Sequence, residues 1–215
     1  MKHFLIALFC FWTLGIRAAE NRGTWKLMRT LAALEAHQAA AAEGEFVYAI
    51  TSRSIAKYDR KSGKRVATSE GAAKHLNSGF FWKGKLLCAH SNYPFKPERS
   101  EIKVLDTDSM KLTTFKDFGS AGGSLTWVLH KGGFWWCNFA LYGADNHKTF
   151  LVKYDEEWRE VARWTYPANV ISQLGRHSLS GGIWREEELW TTGHDDPLAF
   201  RLGLPKEGSE LEYLG

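Results

Sequence analysis

The chain has 215 residues and a formal net charge of +4, from 28 basic and 24 acidic residues. Lysine and arginine alternate with glutamate and aspartate throughout, which argues against a dedicated nucleic-acid surface. The 10 Trp and 13 Phe residues suit a protein that packs many small sheets face to face.

The N-terminus has the pattern of a secretory signal peptide. Lys2 and His3 form a short basic start, residues 4–16 are almost wholly apolar, and residues 17–20 are suited to cleavage. We therefore expect a signal peptide over residues 1–19, an exported protein, and a mature domain over residues 22–215. The alternative is an uncleaved anchor. No other stretch approaches the ~20 apolar residues of a membrane span, so we expect none in the mature chain.

Residues 24–42 allow two interpretations. Their leucines and alanines favour a helix by propensity. We instead favour a strand over residues 25–31, followed by the first strand of a repeat, because the N-terminal strand of a propeller often completes its last blade.

A repeat runs through the rest of the chain. Asp59, Asp106 and Asp155 each follow a short strand-like run, at steps of 47 residues (from 59 to 106) and 49 residues (from 106 to 155). A fourth copy falls at Leu204, without the aspartate. A period near 48 with several strands in each period predicts an all-β fold, a β-propeller of four-stranded antiparallel blades.

Each period divides into four predicted strands. The predicted strands are 38–42, 46–51, 55–59 and 65–68 in blade one; 76–82, 86–90, 101–106 and 112–116 in blade two; 124–129, 134–139, 149–155 and 160–164 in blade three; and 179–184, 188–192, 198–202 and 210–214 in blade four. Four blades are thus present. Because blade four has its own fourth strand, a strand at residues 25–31 would need a further blade. We therefore predict a C-terminally incomplete ring of five or more blades; the alternative is a closed four-bladed ring with a helical N-terminal segment.

The mature chain retains two cysteines, Cys88 and Cys137, in apolar strand patterns. Equivalent positions on successive blades lie farther apart than a disulfide can reach. We therefore predict two buried free thiols.

Polar residues recur at the starts of the first strands and the ends of the second strands. Because these strands run antiparallel, both positions lie on one rim, near the mouth of the central channel. The residues predicted there are His37, His75, His90, Asn92, Asn138, His177, His194 and Asp195.

This pattern suggests three kinds of role. Imidazoles with a carboxylate suit a divalent metal such as Mn²⁺ or Zn²⁺, with His37, His75 and His177 as metal ligands. His75 and His177 are also the candidate catalytic residues, because imidazole can act as a general base. The remaining residues, together with His37, would bind a small polar ligand such as a sugar or an acid. Alternatively, each side chain only hydrogen-bonds the neighbouring blade.

The repeat over residues 37–214, with runs such as 102–106 (IKVLD), resembles secreted bacterial β-propellers of the broad gluconolactonase-like, glutaminyl-cyclase-like and YVTN-repeat group. The likeness implies the architecture. A gluconolactonase-like enzyme would hold its metal with acidic and amide side chains, whereas histidines dominate here.

Two function hypotheses remain open. One is a metal- or histidine-assisted lyase, lactonase or hydrolase that acts on a small polar substrate at the channel mouth. The other is a non-catalytic binding or scaffolding propeller, whose protein partner the sequence does not identify.

Overall fold

The computed structural model describes residues 26–215, so the predicted signal peptide at 1–19 lies outside the described residues. The described residues belong to two units, the first ending at residue 30 and the second covering residues 31–215. Residues 26–30, the described part of the first unit, have no regular secondary structure. None of the helices in the described part of the chain is long and apolar enough to cross a membrane.

The second unit is an all-β propeller of four antiparallel four-stranded blades, which confirms the predicted fold class. Blade one contains β1 (Ala39–Glu43), β2 (Phe46–Ile50), β3 (Ile55–Asp59) and β4 (Arg65–Thr68). Blade two contains β5 (His75–Trp82), β6 (Lys85–Ser91), β7 (Ser100–Leu105) and β8 (Leu112–Gly119).

Blade three contains β9 (Ser124–Lys131), β10 (Phe134–Ala140), β11 (Phe150–Tyr154) and β12 (Glu160–Thr165). Blade four contains β13 (Gly181–Arg185), β14 (Glu188–Thr192), β15 (Ala199–Gly203) and β16 (Glu212–Tyr213). A 3-10 helix, Gly143–Lys148, joins β10 to β11, and the short helix α1, Ala168–Ile171, lies between blades three and four. Each sheet keeps its strands in chain order, and the first strands of successive blades contact one another.

The repeated aspartates occupy equivalent turns. Asp59 ends β3, whereas Asp106 and Asp155 directly follow β7 and β11. In each case the carboxylate accepts backbone N–H groups of the following turn, at 2.6 Å from Ser62, 3.0 Å from Ser109 and 2.8 Å from Arg159. The period in the sequence therefore reflects a turn that needs a short side-chain acceptor.

Buried apolar clusters join the blades in order. One cluster, which includes Ile50 and Leu86, joins blades one and two; a second joins blades two and three; and a third joins blades three and four. Within residues 31–215 no such cluster joins blade four to blade one. Ile183 on blade four is 59% exposed. The prediction that the full ring has five or more blades stays a prediction.

The prediction of a strand over residues 25–31 is wrong for residues 26–31, the part that the structure describes. Residues 26–33 contain neither strand nor helix, and residues 34–37 form a turn before β1. The fourth position of blade four is already filled by β16, which pairs with β15. In the second unit, Ala33 packs on the face of blade one that points away from blade two. Glu35 accepts hydrogen bonds from Tyr58 and Arg65.

The two cysteines are buried and free, as predicted. Burial raises the pKa of the Cys88 thiol to about 12. Because the thiolate is the reactive form, these residues pack as apolar groups and are poor nucleophiles.

Candidate functional site at the propeller rim

The best-defined polar cluster is built around Asp195, which lies three residues after β14. Its Oδ2 accepts the backbone N–H of His177 at 2.8 Å, and its Oδ1 lies 2.7 Å from His177 Nδ1. The same Oδ1 lies 2.9 Å from His194 Nδ1. One carboxylate therefore orients two imidazoles, whose ring centroids are 4.4 Å apart.

His177, His194 and Asp195, called the rim cluster below, could together hold a metal ion. Each offers one ligand atom, and the three atoms lie within 4.8 Å of one another. Two imidazole nitrogens and a carboxylate oxygen suit Zn²⁺ or a similar first-row divalent ion.

His75 lies beside this cluster. It starts β5 and lines, with His177 and His194, a small cavity of about 50 Å³. Tyr93 and Tyr142 line the same cavity, with ring centroids 4.9 Å apart. These two tyrosines also line a larger neighbouring cavity of about 270 Å³, so they stand between the two spaces.

The electrostatics differ between the members of the cluster. Hydrogen bonds, first that from the His177 backbone N–H, hold the pKa of Asp195 well below its usual range. Burial, followed by the nearby His194 and His177, lowers the pKa of His75. Burial also raises the pKa of Tyr142 to about 12. At neutral pH, Asp195 is therefore anionic, whereas His75 and Tyr142 are neutral.

The loop that carries His177 is held by blade three. The buried Asn146 side chain of the 3-10 helix donates to the carbonyl of Gly175 at 2.8 Å. The N–H of Gly143 donates to the carbonyl of Arg176 at 2.7 Å. A Cβ at position 175 would lie 2.4 Å from Asp195 Oδ2, so the carboxylate approaches this closely because residue 175 is glycine.

The predicted rim residues fall into different environments. His37 is exposed in the turn before β1 and is not among the residues that line the cavity of His75. Among the predicted metal ligands, His177 lies in the three-residue cluster and His75 lies beside it. His194 and Asp195, which the sequence suggested as ligand-binding residues, complete the cluster.

His90 occupies a second polar region. It is 6% exposed, and its Nε2 accepts the backbone N–H of Lys74 at 2.9 Å. Its Nδ1 lies 3.2 Å from Glu101 Oε2, although the geometry is not that of a hydrogen bond. Burial is the main cause that lowers the pKa of His90 to about 4.

Asn92 and Asn138 are satisfied within the fold. Asn92 accepts the N–H of Arg99 and donates to the carbonyl of Pro97, both at 2.8 Å. Asn138 is fully buried; it donates to Thr126 Oγ1 at 2.8 Å and accepts from the Tyr166 hydroxyl at 2.7 Å. These contacts stabilise the fold and leave the two amides little capacity for a ligand.

Two further polar residues connect neighbouring blades. Asn77 donates to the carbonyl of Leu125 at 2.9 Å, and Thr126 donates to the carbonyl of Leu179 at 2.7 Å. Both follow a buried leucine at the start of a first strand. The sequence contains this signal in its repeated Leu-polar pairs, whereas no short motif indicates Tyr93 or Tyr142.

Comparisons with known proteins give fold likeness without a family. No protein-family model matches the chain, and no curated protein matches it. Hydrazine synthase of Kuenenia stuttgartiensis is similar over 75% of this chain and 50% of that chain, with 10% identity and a TM-score of 0.50. At that identity the likeness concerns the propeller fold alone.

Two other solved structures are similar at lower scores. BamB from Moraxella catarrhalis matches over 75% of this chain and 41% of its own, with 10% identity and a TM-score of 0.43. The computationally designed Ika4 protein matches over 89% of this chain and 100% of its own, with 10% identity and a TM-score of 0.47.

Proposed function

We propose that this chain is an exported propeller whose rim site binds a divalent transition metal through His177, His194 and Asp195. The observation that supports the proposal is the shared carboxylate, which lies 2.7 Å from one imidazole nitrogen and 2.9 Å from another. Because the three metal-ligand groups are already held together in the absence of an ion, less conformational entropy is lost when the ion binds.

The finer proposal is that the bound ion assists hydrolysis, lactone opening or elimination on a small polar substrate. A divalent ion with three protein ligands polarises a carbonyl or activates a water. His75 lines the same cavity and has a lowered pKa, so it is available as a neutral base at pH 7. The neighbouring cavity of about 270 Å³ would hold most of a small substrate, whose reacting end would pass Tyr93 and Tyr142 to reach the ion.

Non-catalytic ligand binding is the second candidate. It would use the same rim residues, since Asn77, Thr126 and Asn138 are committed to hydrogen bonds within the protein. In this alternative the rim site binds its ion or a small polar ligand without turnover.

The test begins with metal binding. We expect metal-free protein to bind Zn²⁺ or Mn²⁺ in a calorimetric titration at pH 7.5. His194→Ala removes one ligand and should weaken binding at least about tenfold. His147→Ala is the matched control, because His147 is exposed and its Nδ1 lies 2.9 Å from the Ala144 carbonyl oxygen, outside the cluster. Equal affinities in the wild type and His194→Ala would refute the metal site.

Catalysis is tested separately with lactone and ester substrates. For an enzyme, His75→Ala should abolish turnover while the metal content and melting temperature stay near those of the wild type. Turnover unchanged in His75→Ala would refute the role of His75 as base. Metal binding with no turnover of any substrate tested would favour the non-catalytic candidate.

A further inference from the structure

A second polar cavity shares no lining residue with the rim cluster of His177, His194 and Asp195. It has a volume of about 220 Å³ and lies between the connection that leads from blade one to blade two and strands β6 and β7. The polar residues that line it are Lys74, His90, Asn92, Arg99, Glu101 and Lys103.

Basic side chains outnumber acidic ones in the lining of this cavity. Glu101 Oε2 lies 2.8 Å from the Nζ of Lys103, which is buried and also donates to Thr114 Oγ1 at 2.9 Å. The single carboxylate is thus committed to the buried lysine. Lys74 and Arg99 are exposed cations at the same cavity. Asp117 pairs with Arg99 at 2.9 Å, but both side chains are about half exposed, where such a pair contributes little.

His90 forms part of the cavity wall. Because its Nε2 accepts the N–H of Lys74, the neutral ring carries its proton on Nδ1. That buried Nδ1 has no well-formed hydrogen bond in the part of the chain described, although Glu101 lies close. Because this nitrogen has almost no accessible surface and Glu101 Oε2 lies 3.2 Å from it, the ring shapes the wall and does not offer this N–H to a ligand.

The cavity continues into a shallow depression of about 410 Å³, since Lys74 and Ala73 line both. Arg53 and Phe95 complete the lining of the depression. Arg53 adds an exposed cation, and the ring of Phe95 is 63% exposed with Lys74 Nζ 5.9 Å from its centroid. The depression thus offers a second anion-binding position beside an apolar face.

We propose that this cavity and depression form a second binding site, for a small organic anion that carries at least two carboxylate groups. One carboxylate would pair with Lys74 and Arg99. A second would reach Arg53, with the carbon backbone of the ligand against Phe95. Cations that surround one committed carboxylate favour an anion over a metal ion, which distinguishes this site from the rim cluster.

The test uses metal-free protein and three probes: propane-1,2,3-tricarboxylate, acetate and inorganic phosphate. We expect the tricarboxylate to bind more tightly than acetate in a calorimetric titration at low salt, with affinity that falls as NaCl is added. Phosphate binding more tightly than the tricarboxylate would overturn the assignment of the ligand class.

The variants Lys74→Gln and Arg99→Gln should each weaken tricarboxylate binding by about tenfold, the effect of one charge-assisted hydrogen bond. Lys85→Gln is the control, because Lys85 is exposed, is paired with Asp106 at 3.4 Å, and does not line the cavity. Tricarboxylate binding that is absent at millimolar concentration, or equal in all three variants, would refute the site. The His194→Ala variant should bind the tricarboxylate like the wild type, so failure of the rim proposal leaves this result unaffected.

Discussion

Asp195 uses both carboxylate oxygens on His177: Oδ2 accepts the backbone N–H at 2.8 Å, and Oδ1 lies 2.7 Å from the ring Nδ1. The first contact fixes the loop, and the second fixes the imidazole. Because Oδ1 also lies 2.9 Å from His194 Nδ1, a single residue sets the position of both rings. The rim cluster thus depends on Asp195 more than on either histidine.

We therefore predict that Asp195→Asn weakens Zn²⁺ binding by about 10- to 100-fold, since an amide is a poorer ligand and a poorer acceptor for two imidazoles. The measurement is a calorimetric titration at pH 7.5, with Asp108→Asn as a control in an exposed turn. The melting temperature of each variant shows whether the fold is retained. Unchanged affinity in a folded Asp195→Asn variant would contradict the central role of this carboxylate.

Gly175→Ala tests the same cluster from the backbone side. The added Cβ would lie 2.4 Å from Asp195 Oδ2 and would displace the carboxylate from His177. We expect metal affinity to fall at least about tenfold. Gly193→Ala is a matched control, because its Cβ would meet nothing closer than 3.4 Å. Similar losses in both variants would contradict a specific role for the close approach at position 175.

The sequence predicted the blades well because each turn after a third strand uses the same side-chain chemistry. Asp59, Asp106 and Asp155 accept backbone N–H groups in turns at equivalent places, so the period is visible in the chain. Residues 26–31 were harder to predict. Their propensities favour a helix and their apolar pattern allows a strand, but they form neither.

The sequence indicated only part of the candidate site. Antiparallel pairing determines at which end of the strands a residue lies, but not where its side chain points. His177 and His194 lie in loops, where contacts from Asp195 decide the geometry. His90 pairs next to the start of β5, opposite Leu76, yet its ring enters a different cavity. The close approach at Gly175 is a tertiary contact that no local pattern reveals.

Thr126→Val tests the polar contacts that serve packing. Thr126 is buried, donates to the Leu179 carbonyl at 2.7 Å and accepts from Asn138 at 2.8 Å. Valine keeps the shape but removes both hydrogen bonds and leaves only the long contact from Asn138 Nδ2 to the Leu179 carbonyl, at 3.5 Å. We therefore expect a loss of about 1–3 kcal/mol in the free energy of unfolding, measured by urea denaturation. The control Thr113→Val is on an exposed position of β8 and should change stability by less than about 0.5 kcal/mol. If Thr126→Val left the free energy of unfolding unchanged, the blades would tolerate the loss of these hydrogen bonds.

The pH dependence of stability should report the buried His90. Its pKa is lowered to about 4, first by burial and then by Lys103, with Lys74 and His75 acting in the same direction and Glu101 opposing them. The unfolded imidazole titrates near 6.5, so between these values the unfolded state binds a proton that the folded state does not. Acidification in this window therefore favours unfolding.

We expect His90 to contribute on the order of 3 kcal/mol of stability at pH 7 that is lost progressively between about pH 6.5 and pH 4. His90→Gln keeps an acceptor for the Lys74 N–H but does not titrate. Urea denaturation of this variant should therefore give a free energy of unfolding that falls less steeply over the same window. The control is His147→Gln, at an exposed position. This variant should keep the wild-type slope of the free energy of unfolding against pH. If His90→Gln kept the full wild-type pH dependence, His90 would not be the group that titrates. The next group to test would then be His75, because burial also lowers its pKa.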